Sequence, residues 1–302
     1  MIDTMNLAER WLSQLASQHY SPASLRSYRQ ALQPFGQYLD EQALSLEVLR
    51  YADISTYITT RLERDNLAKS SVQQNLSILR QFFAWLVAEA ILPHNPTTAV
   101  RLKRQQRPLP ELLDSDLLSQ LLDQLPPSDT KQAQLWTRDK AMFELLYGSG
   151  LRVSEVVGLN LSDVDKAERL VRLVGKGEKT RIVPIGSKAW QAISDYLPYR
   201  TLWLKADESA IFISERHGSR LTTRTVQSRL KHHAKRAGIA QNLYPHLLRH
   251  CFASHLLSDS GDLRGVQELL GHSDISTTQI YTHLDFGQLT KVYDKAHPRA
   301  KR

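Results

Sequence analysis

The sequence predicts a mainly α-helical protein with a small β-hairpin insert, an α+β chain in two domains. Apolar residues recur at helical spacing through most of the chain. Two runs rich in Val, Ile and Leu flank a glycine-bearing turn near Gly177, which favours a hairpin. A basic, proline-containing segment at 101–110 separates a helical front part from the rest, and a length of 302 residues exceeds one average domain.

Residues 1–100 are expected to fold as a compact bundle of four or five short helices. A first apolar stripe begins at Leu7, and Ser21 followed by Pro22 supplies the N-cap chemistry of a second helix. Pro34 is expected to kink or end that second helix. Two further helices are expected over residues 55–65 and 70–90.

The segment 101–110 is expected to be an interdomain linker, because it is short, basic and contains two prolines. Cations that neutralise phosphates release counterions, so a basic linker could also follow a nucleic-acid backbone. Its candidate DNA-binding residues are Arg101, Lys103, Arg104 and Arg107.

Residues 111–302 are expected to form a larger, mostly helical second domain. The hairpin strands are expected over residues 170–174 and 181–185, and residues 211–214 are expected to add a short third strand. The predicted helices cover residues 113–125, 138–147, 223–237, 245–257, 263–270 and 285–295.

Composition narrows the class of partner. The net charge of +8 on a chain that is 41% hydrophobic favours a folded protein with a polyanionic partner, either nucleic acid or an anionic membrane surface. Cys251 is the single cysteine, so no intrachain disulfide can form, and a reducing cytoplasm is expected. No apolar run approaches about 18 residues, and neither a membrane span nor a signal peptide is expected.

Five short segments of the second domain carry residues suited to phosphodiester chemistry. They are Tyr147-Gly-Ser-Gly-Leu-Arg-Val-Ser-Glu155, Gly175-Lys-Gly177, His246-Leu-Leu-Arg-His250, Leu270-Gly-His272 and Tyr281. Metal-free cleavage needs an in-line nucleophile, fixed donors for the charged oxygens and a proton for the leaving oxygen. Arginine, histidine, lysine and tyrosine can supply these parts. The candidate catalytic residues are therefore Arg152, Lys176, His246, Arg249, His272 and Tyr281, with no metal and no cofactor.

The spacing within the third segment supports a phosphate site. His246 and Arg249 stand at i and i+3, and Pro245 before them suits a helix start, where free N–H groups favour an anion. Zinc binding by His246, His250 and His272 is the alternative, but Arg249 would oppose a metal cation and the H-E-x-x-H pattern is absent from the sequence. Two lysines, Lys176 and Lys179, stay open as the general acid, because both lie near the hairpin tip.

In this order, the five segments resemble the signature of the tyrosine recombinase (phage integrase) family: G-L-R-x-S-E, a hairpin lysine, H-x-x-R, L-G-H and the tyrosine. The segments 260–272, 276–285 and 296–302 resemble the XerC group of that family most closely. One departure is Leu247, where relatives often carry lysine, and it removes one cation near the site without touching the catalytic pair.

The resemblance implies a site-specific recombinase that cleaves and rejoins DNA through a 3′-phosphotyrosine on Tyr281. It implies a C-shaped DNA clamp, with a core-binding (SAM-like) front domain and a catalytic domain that ends in a C-terminal interaction helix. Lys176 would protonate the leaving 5′ oxygen. The scissile phosphate would be held by Arg152, Arg249 and His246, with support from His272.

The resemblance also implies partners and a setting. The substrate would be double-stranded DNA carrying a dif-like site, and a XerD-like recombinase would complete a heterotetramer. Chromosome and plasmid dimers would be resolved in the cytoplasm during cell division, with a septal DNA translocase as a further partner and no membrane involvement. The tail after Asp285 would dock on a neighbouring subunit, although packing on its own domain is the alternative.

The helix expected over residues 223–237 is a candidate DNA-contact element. Family resemblance suggests a helix laid along the major groove, with Arg224, Lys231 and Lys235 as DNA-binding residues. The alternative is an amphipathic core helix with a solvated face.

Other functions compete with the recombinase. A DNA-binding protein of the same fold would have no need of Tyr281, so an intact set of six candidate residues argues against it. A type IB topoisomerase would use the same chemistry on generic supercoils, and a metal nuclease would stop cutting in EDTA.

Overall fold

The computed structural model describes residues 3–102, 112–174 and 180–260, together with Val266 and Arg299. The chain divides into two compact units, Met1–Pro108 and Leu109–Arg302. The described residues are mainly α-helical and include one three-stranded antiparallel sheet, which confirms the predicted fold class. Within those ranges, no helix combines the length and the apolar character that crossing a bilayer requires.

The described part of the first unit contains four α-helices: α1 (Thr4–Ser17), α2 (Pro22–Glu41), α3 (Tyr51–Glu63) and α4 (Lys69–Ala88). Helix α2 begins as predicted, because the Ser21 hydroxyl accepts a hydrogen bond from the backbone N–H of Ser24 at 3.1 Å. Pro34 lies inside α2, which continues to Glu41, so the expectation that it could end the helix is wrong.

An aromatic core joins the helices of the first unit. Trp11 of α1 stacks on Tyr28 of α2 with ring centroids 5.4 Å apart. Phe35 of α2 meets Tyr57 of α3 edge-on at 5.1 Å and Phe83 of α4 at 5.9 Å. Such pairs add roughly 0.5–1.5 kcal/mol each beyond area burial, so the aromatics fix how these helices pack.

The second unit opens with three helices, α5 (Ser115–Leu122), α6 (Thr130–Gly148) and α7 (Val153–Gly158), and then forms the sheet. Its strands are β1 (Val164–Asp165), β2 (Leu170–Val174) and β3 (Thr180–Pro184), paired in the order β1-β2-β3. Three more helices follow, α8 (Ser187–Trp203), α9 (Thr223–Arg236) and α10 (Pro245–Ser260).

The β2–β3 hairpin is confirmed, with a register that runs from Leu170↔Pro184 to Val174↔Thr180. The expected third strand at 211–214 is wrong, because the sheet of the described residues consists of β1, β2 and β3. Within 211–214, Ile213 forms an isolated bridge to Arg220, and Phe212 is buried against the ring of Tyr196 with centroids 5.7 Å apart. The apolar run is therefore core packing and not a strand of the ladder.

Helix α6 is the centre of the second unit. Its residues from Ala141 to Gly148 are all buried, and α8, α9 and α10 pack against it. A helix buried on every side fixes the position of whatever follows its C-terminus. The segment that follows begins at Ser149 and carries the G-L-R-x-S-E motif.

Candidate active site

The motif forms a tight connection between α6 and α7 that presents Arg152. Arg152 is the N-cap of α7, and its backbone N–H donates to the Glu155 carboxylate at 2.7 Å. A carboxylate three residues into a helix is the usual partner of the N-cap backbone. The three-residue spacing of arginine and glutamate in the motif therefore has two effects. It caps the start of α7, and it brings the two side chains together.

Within this turn, Gly150 packs closely against Phe252 of α10. Its φ of +63° lies in the left-handed region, and a Cβ on it would lie 2.3 Å from the Cδ1 atom of Phe252. On the other side, the Ser149 hydroxyl donates to the carbonyl of Pro184 at 3.0 Å. The turn that carries Arg152 is thus held against α10 and against the end of β3.

Three arginines surround the carboxylate of Glu155. Arg152 donates to it at 2.9 Å, and Arg181 of β3 donates with two nitrogens at 2.8 Å each. The Nη1 atom of Arg249 lies 3.9 Å from the same carboxylate. Three guanidinium groups and one carboxylate leave an excess of positive charge, so the cluster is suited to an additional anion such as a phosphate.

Glu155 is ionised at neutral pH. Burial opposes its charge, but hydrogen bonds from Arg181 and Arg152 and the charge of Arg181 outweigh burial and hold the pKa of Glu155 below its ordinary value. The carboxylate can therefore keep the arginines oriented before any ligand arrives.

Arg249 lies at the inner edge of the cluster. Its side chain is 9% exposed, and its guanidinium donates a hydrogen bond to the carbonyl of Gly150. Burial, with a smaller contribution from Arg152, lowers the pKa of Arg249 to about 10, although Glu155 opposes that shift. At neutral pH Arg249 keeps its charge, and poor hydration leaves it ready to bind an anion.

His246 stands on the first turn of α10, three residues before Arg249, and is exposed. Pro245 before it is buried and begins the helix, as the sequence predicted. His250, one turn further on, is also exposed. Among the described residues, no three His, Cys, Asp or Glu side chains are grouped as a metal site would require. His272 lies outside the described part, so the zinc alternative is not tested.

The structure thus brings together Arg152 and Arg249, from segments far apart in sequence. Several predicted site residues lie outside the described residues: Lys103, Arg104, Arg107, Lys176, Lys179, His272 and Tyr281. The segment 175–179 with its two lysines connects β2 to β3, and Arg181 two residues later is bound to Glu155. The strand that follows these lysines therefore reaches the arginine cluster.

Helix α9 carries the other predicted DNA contacts. Arg224, Lys231 and Lys235 are all exposed, whereas Val226 and Leu230 are buried on the opposite side. Arg101 in the first unit is exposed as well, and it donates to the carbonyl of Thr98 at 2.7 Å.

Sequence reasoning missed the roles of Glu155 and Arg181. Glu155 belongs to the motif, but its motif position does not reveal that it also binds Arg181, 26 residues away. The sequence gives only a weak signal for Arg181, which is a charged residue near the start of an otherwise apolar strand, next to the two lysines of segment 175–179.

Comparison with known proteins agrees with this geometry. The phage integrase family model matches residues 111–288, and the phage integrase N-terminal SAM-like domain model matches residues 8–90. The tyrosine recombinase XerC of Pseudomonas savastanoi pv. phaseolicola is 47% identical over 93% of this chain and 92% of its own length. The tyrosine recombinase XerC of Shewanella amazonensis is 42% identical over 100% of this chain and 99% of its own.

Solved structures show the same fold. The Tn1549 transposon integrase in complex with transposon right end DNA gives a TM-score of 0.70 at 18% identity, covering 93% of this chain and 96% of that one. The XerH site-specific recombinase bound to its difH substrate gives 0.67 at 21% identity, covering 94% and 82%. From the family models and the XerC relatives together, the chain belongs to the phage integrase family and is a site-specific tyrosine recombinase.

Proposed function

We propose that this recombinase cleaves and rejoins double-stranded DNA at a dif-like site through a covalent 3′-phosphotyrosine on Tyr281. The observation that supports the proposal most is the pairing of Arg152 and Arg249 around Glu155. Two guanidinium groups held by one carboxylate are prepared to bind the two non-bridging oxygens of a single phosphate.

The arginines would act by stabilising charge. As a nucleophile attacks phosphorus, the equatorial oxygens carry the developing charge, and donors fixed beforehand stabilise it without reorganisation. Arg249 is mostly buried and Arg152 is half-exposed. A phosphate oxygen bound between them would therefore face solvent only on the side of Arg152. His246, exposed on the same helix as Arg249, would donate to the same phosphate, with His272 supporting it.

The cleavage step forms one bond to phosphorus and breaks another. The Tyr281 phenolate attacks phosphorus, the bond from phosphorus to the 5′ oxygen breaks, and Lys176 delivers a proton to that oxygen. The DNA is left with a 5′-hydroxyl and a phosphotyrosine at the 3′ side. Attack by a 5′-hydroxyl of another strand reverses the step and restores a phosphodiester in a new combination.

The relatives support the proposed partners. XerC proteins match nearly the whole chain, which supports a XerD-like recombinase as the second subunit type of a heterotetramer. The XerH structure was obtained with its difH substrate, which supports a dif-like duplex here. Chromosome and plasmid dimer resolution in the cytoplasm, with a septal DNA translocase as a further partner, completes the proposal. In addition to the contacts of α9, the linker would contribute phosphate contacts from Arg101, Lys103, Arg104 and Arg107.

Covalent trapping tests the proposal. A dif-like duplex nicked beside the cleavage point loses a short fragment after attack, so the enzyme stays bound to DNA. We expect wild type to be trapped, with a larger yield when a XerD-like partner is present and no change in EDTA. Tyr281→Phe should abolish trapping of this chain, and Tyr199→Phe, a half-buried tyrosine of α8, should trap like wild type.

Two outcomes would reject the proposal in different ways. Equal trapping of Tyr281→Phe and wild type would remove Tyr281 as the nucleophile. Equal trapping on a duplex of unrelated sequence would favour a topoisomerase-like activity without a defined site, and loss of cleavage in EDTA would favour a metal nuclease.

A further inference from the structure

Asp139 of α6 is a fully buried carboxylate that binds two side chains of α9. Its Oδ2 atom accepts a hydrogen bond from the Nε atom of Arg229 at 2.5 Å, and it lies 3.0 Å from the Nε2 atom of His233. Its Oδ1 atom accepts two hydrogen bonds from Arg138, at 2.8 Å and 3.1 Å. The proposed cleavage chemistry does not use this cluster.

The carboxylate is charged in spite of its burial. Burial opposes ionisation, but the hydrogen bond with His233 and the charges of Arg138 and Arg229 outweigh it, so the pKa of Asp139 is below its ordinary value. Removing one member of such a buried group leaves the others without a partner, which is far more costly than the loss of an exposed pair.

His233 fits the cluster in one orientation. Its Nε2 atom faces the Asp139 carboxylate and must donate there, while its Nδ1 atom is buried without a hydrogen-bond partner among the described residues. The Trp136 ring covers it, with centroids 4.5 Å apart. Burial lowers the pKa of His233 although Asp139 raises it, so the ring is neutral and is held by its shape and by one hydrogen bond.

The opposite side of α9 carries the three exposed cations. Successive residues of a helix are about 100° apart, so the side that holds Arg229 and His233 is opposite to the side that holds Lys231. Lys231 comes seven residues after Arg224 and four residues before Lys235. Both separations are close to whole helical turns, so the three cations share one side of α9. The depth and rotation of α9 against α6 therefore decide where these cations point.

The C-terminal end of α9 is fixed by polar contacts too. Gln120 of α5 donates to the carbonyl of Ala237 at 2.7 Å, and Gln124 donates to the carbonyl of His233 at 3.2 Å. Arg236 donates to the Gln124 side chain at 2.6 Å and lies 4.8 Å from the centroid of the Trp136 ring. Directional bonds of this kind fix rotation more tightly than apolar packing does, since hydrogen bonds depend on angle.

We propose that Asp139 is a positioning residue for DNA binding, which sets the rotation of α9 so that Arg224, Lys231 and Lys235 meet phosphates together. The inference rests on the proposed contact between α9 and DNA. It assigns a part in the affinity for DNA to a buried carboxylate that shares no partner with Glu155.

The test is the salt dependence of DNA binding by full-length Asp139→Asn. The amide keeps the size of the side chain but presents an N–H₂ group where Arg229 and His233 need an acceptor. We expect binding of a short dif-like duplex to weaken about tenfold, and the slope of log K against log salt to fall by about one for each phosphate that α9 no longer neutralises.

Ile193→Ala is the matched control, since it opens a cavity at a buried residue of α8, which carries none of the proposed DNA contacts, and lowers stability by itself. It should lower the melting temperature and leave the salt slope unchanged. If Asp139→Asn does not fold, Arg229→Lys retains a cation beside Asp139 and should show the same change in slope. A wild-type slope in the folded variant would overturn the positioning role.

A third variant separates this inference from the proposed function. Replacing Arg224, Lys231 and Lys235 by alanine removes the contacts themselves. If that variant binds DNA with the wild-type slope, the α9 contact of the proposed function is wrong. If it lowers the slope and Asp139→Asn does not, the contact stands and the positioning role of Asp139 is rejected.

Discussion

The Arg249 guanidinium donates a hydrogen bond to the backbone carbonyl of Gly150, across 99 residues of sequence. Gly150 stands two residues before Arg152, so this bond fixes both arginines to the same turn. This turn is also held by the packing of Phe252 against Gly150 and by the hydrogen bond from the Ser149 hydroxyl to the Pro184 carbonyl. A phosphate site built on such a connection is ordered before DNA arrives, which is what charge stabilisation requires.

Gly150→Ala should damage both folding and cleavage. Its φ of +63° disfavours any Cβ, and the added atom would lie 2.3 Å from the ring of Phe252. Strain and overpacking together should cost about 2–4 kcal/mol in the free energy of unfolding, measured by urea titration. Gly158→Ala is the control, because its added Cβ meets no atom within 4 Å. Equal stability of the two variants would contradict the proposed packing.

Glu155→Gln should lower stability at neutral pH and lower the cleavage rate about a hundredfold, since the arginines lose the charge that orients them. The exposed Glu168→Gln should do neither. Cleavage rate is measured by trapping under single-turnover conditions. A Glu155→Gln rate close to wild type would show that the arginines hold their positions without it.

The stability lost in Glu155→Gln should depend on pH. The folded pKa of Glu155 is below its ordinary 4.5, so the unfolded chain binds the proton more readily. Its contribution is therefore complete above the ordinary pKa and disappears as the pH falls through the lower, folded value. Urea unfolding of both proteins should give curves that are well separated at pH 7 and converge in acid. A constant difference down to the acid limit would exclude the charge as the cause.

Lys176→Ala should slow cleavage of ordinary DNA, because the departing 5′ oxygen then lacks its proton donor. A substrate with sulfur in place of that oxygen has a leaving group that needs no proton, so cleavage should return to near the wild-type rate. Lys179→Ala, tested in parallel, should show no such rescue. The reverse pattern in the two variants would assign the acid to Lys179.

Lys231→Ala should weaken DNA binding to a similar degree for specific and unrelated duplexes, and should lower the salt slope by about one. Lys131→Ala is the control, since its ammonium is already paired with Glu215 at 2.9 Å. Fluorescence anisotropy over a range of salt concentrations measures both the affinity for DNA and the salt slope. An unchanged slope for Lys231→Ala would remove that residue from the contact.

Much of the fold could be predicted from local patterns. The Ser21 cap and the apolar stripe of α2 identified that helix, and the run of branched residues on each side of 175–179 identified the hairpin. Helix α8 was missed, because its apolar residues are spread around the helix and Pro198 lies inside it. The false strand at 211–214 has strand composition, but burial of Phe212 against Tyr196 took the place of ladder pairing.

The candidate site was predictable in its residue types and in its motif order. The resemblance to the phage integrase family implied that Arg152, Arg249 and His246 share one phosphate, and the structure brings the two arginines together around Glu155. The long-range partners were not predictable, because no local pattern indicates that Arg181 will meet Glu155 or that Arg229 and His233 will meet Asp139. Those contacts depend on how separate helices and strands pack, which periodicity does not encode.

Identification of the covalent linkage by mass spectrometry tests the central claim most directly. The protein is trapped on a nicked dif-like duplex, digested with nuclease and protease, and the peptide that carries a nucleotide is sequenced. The account predicts a single modified residue, Tyr281, joined to a 3′-phosphate. Modification of another residue, or linkage through a 5′-phosphate, would contradict it.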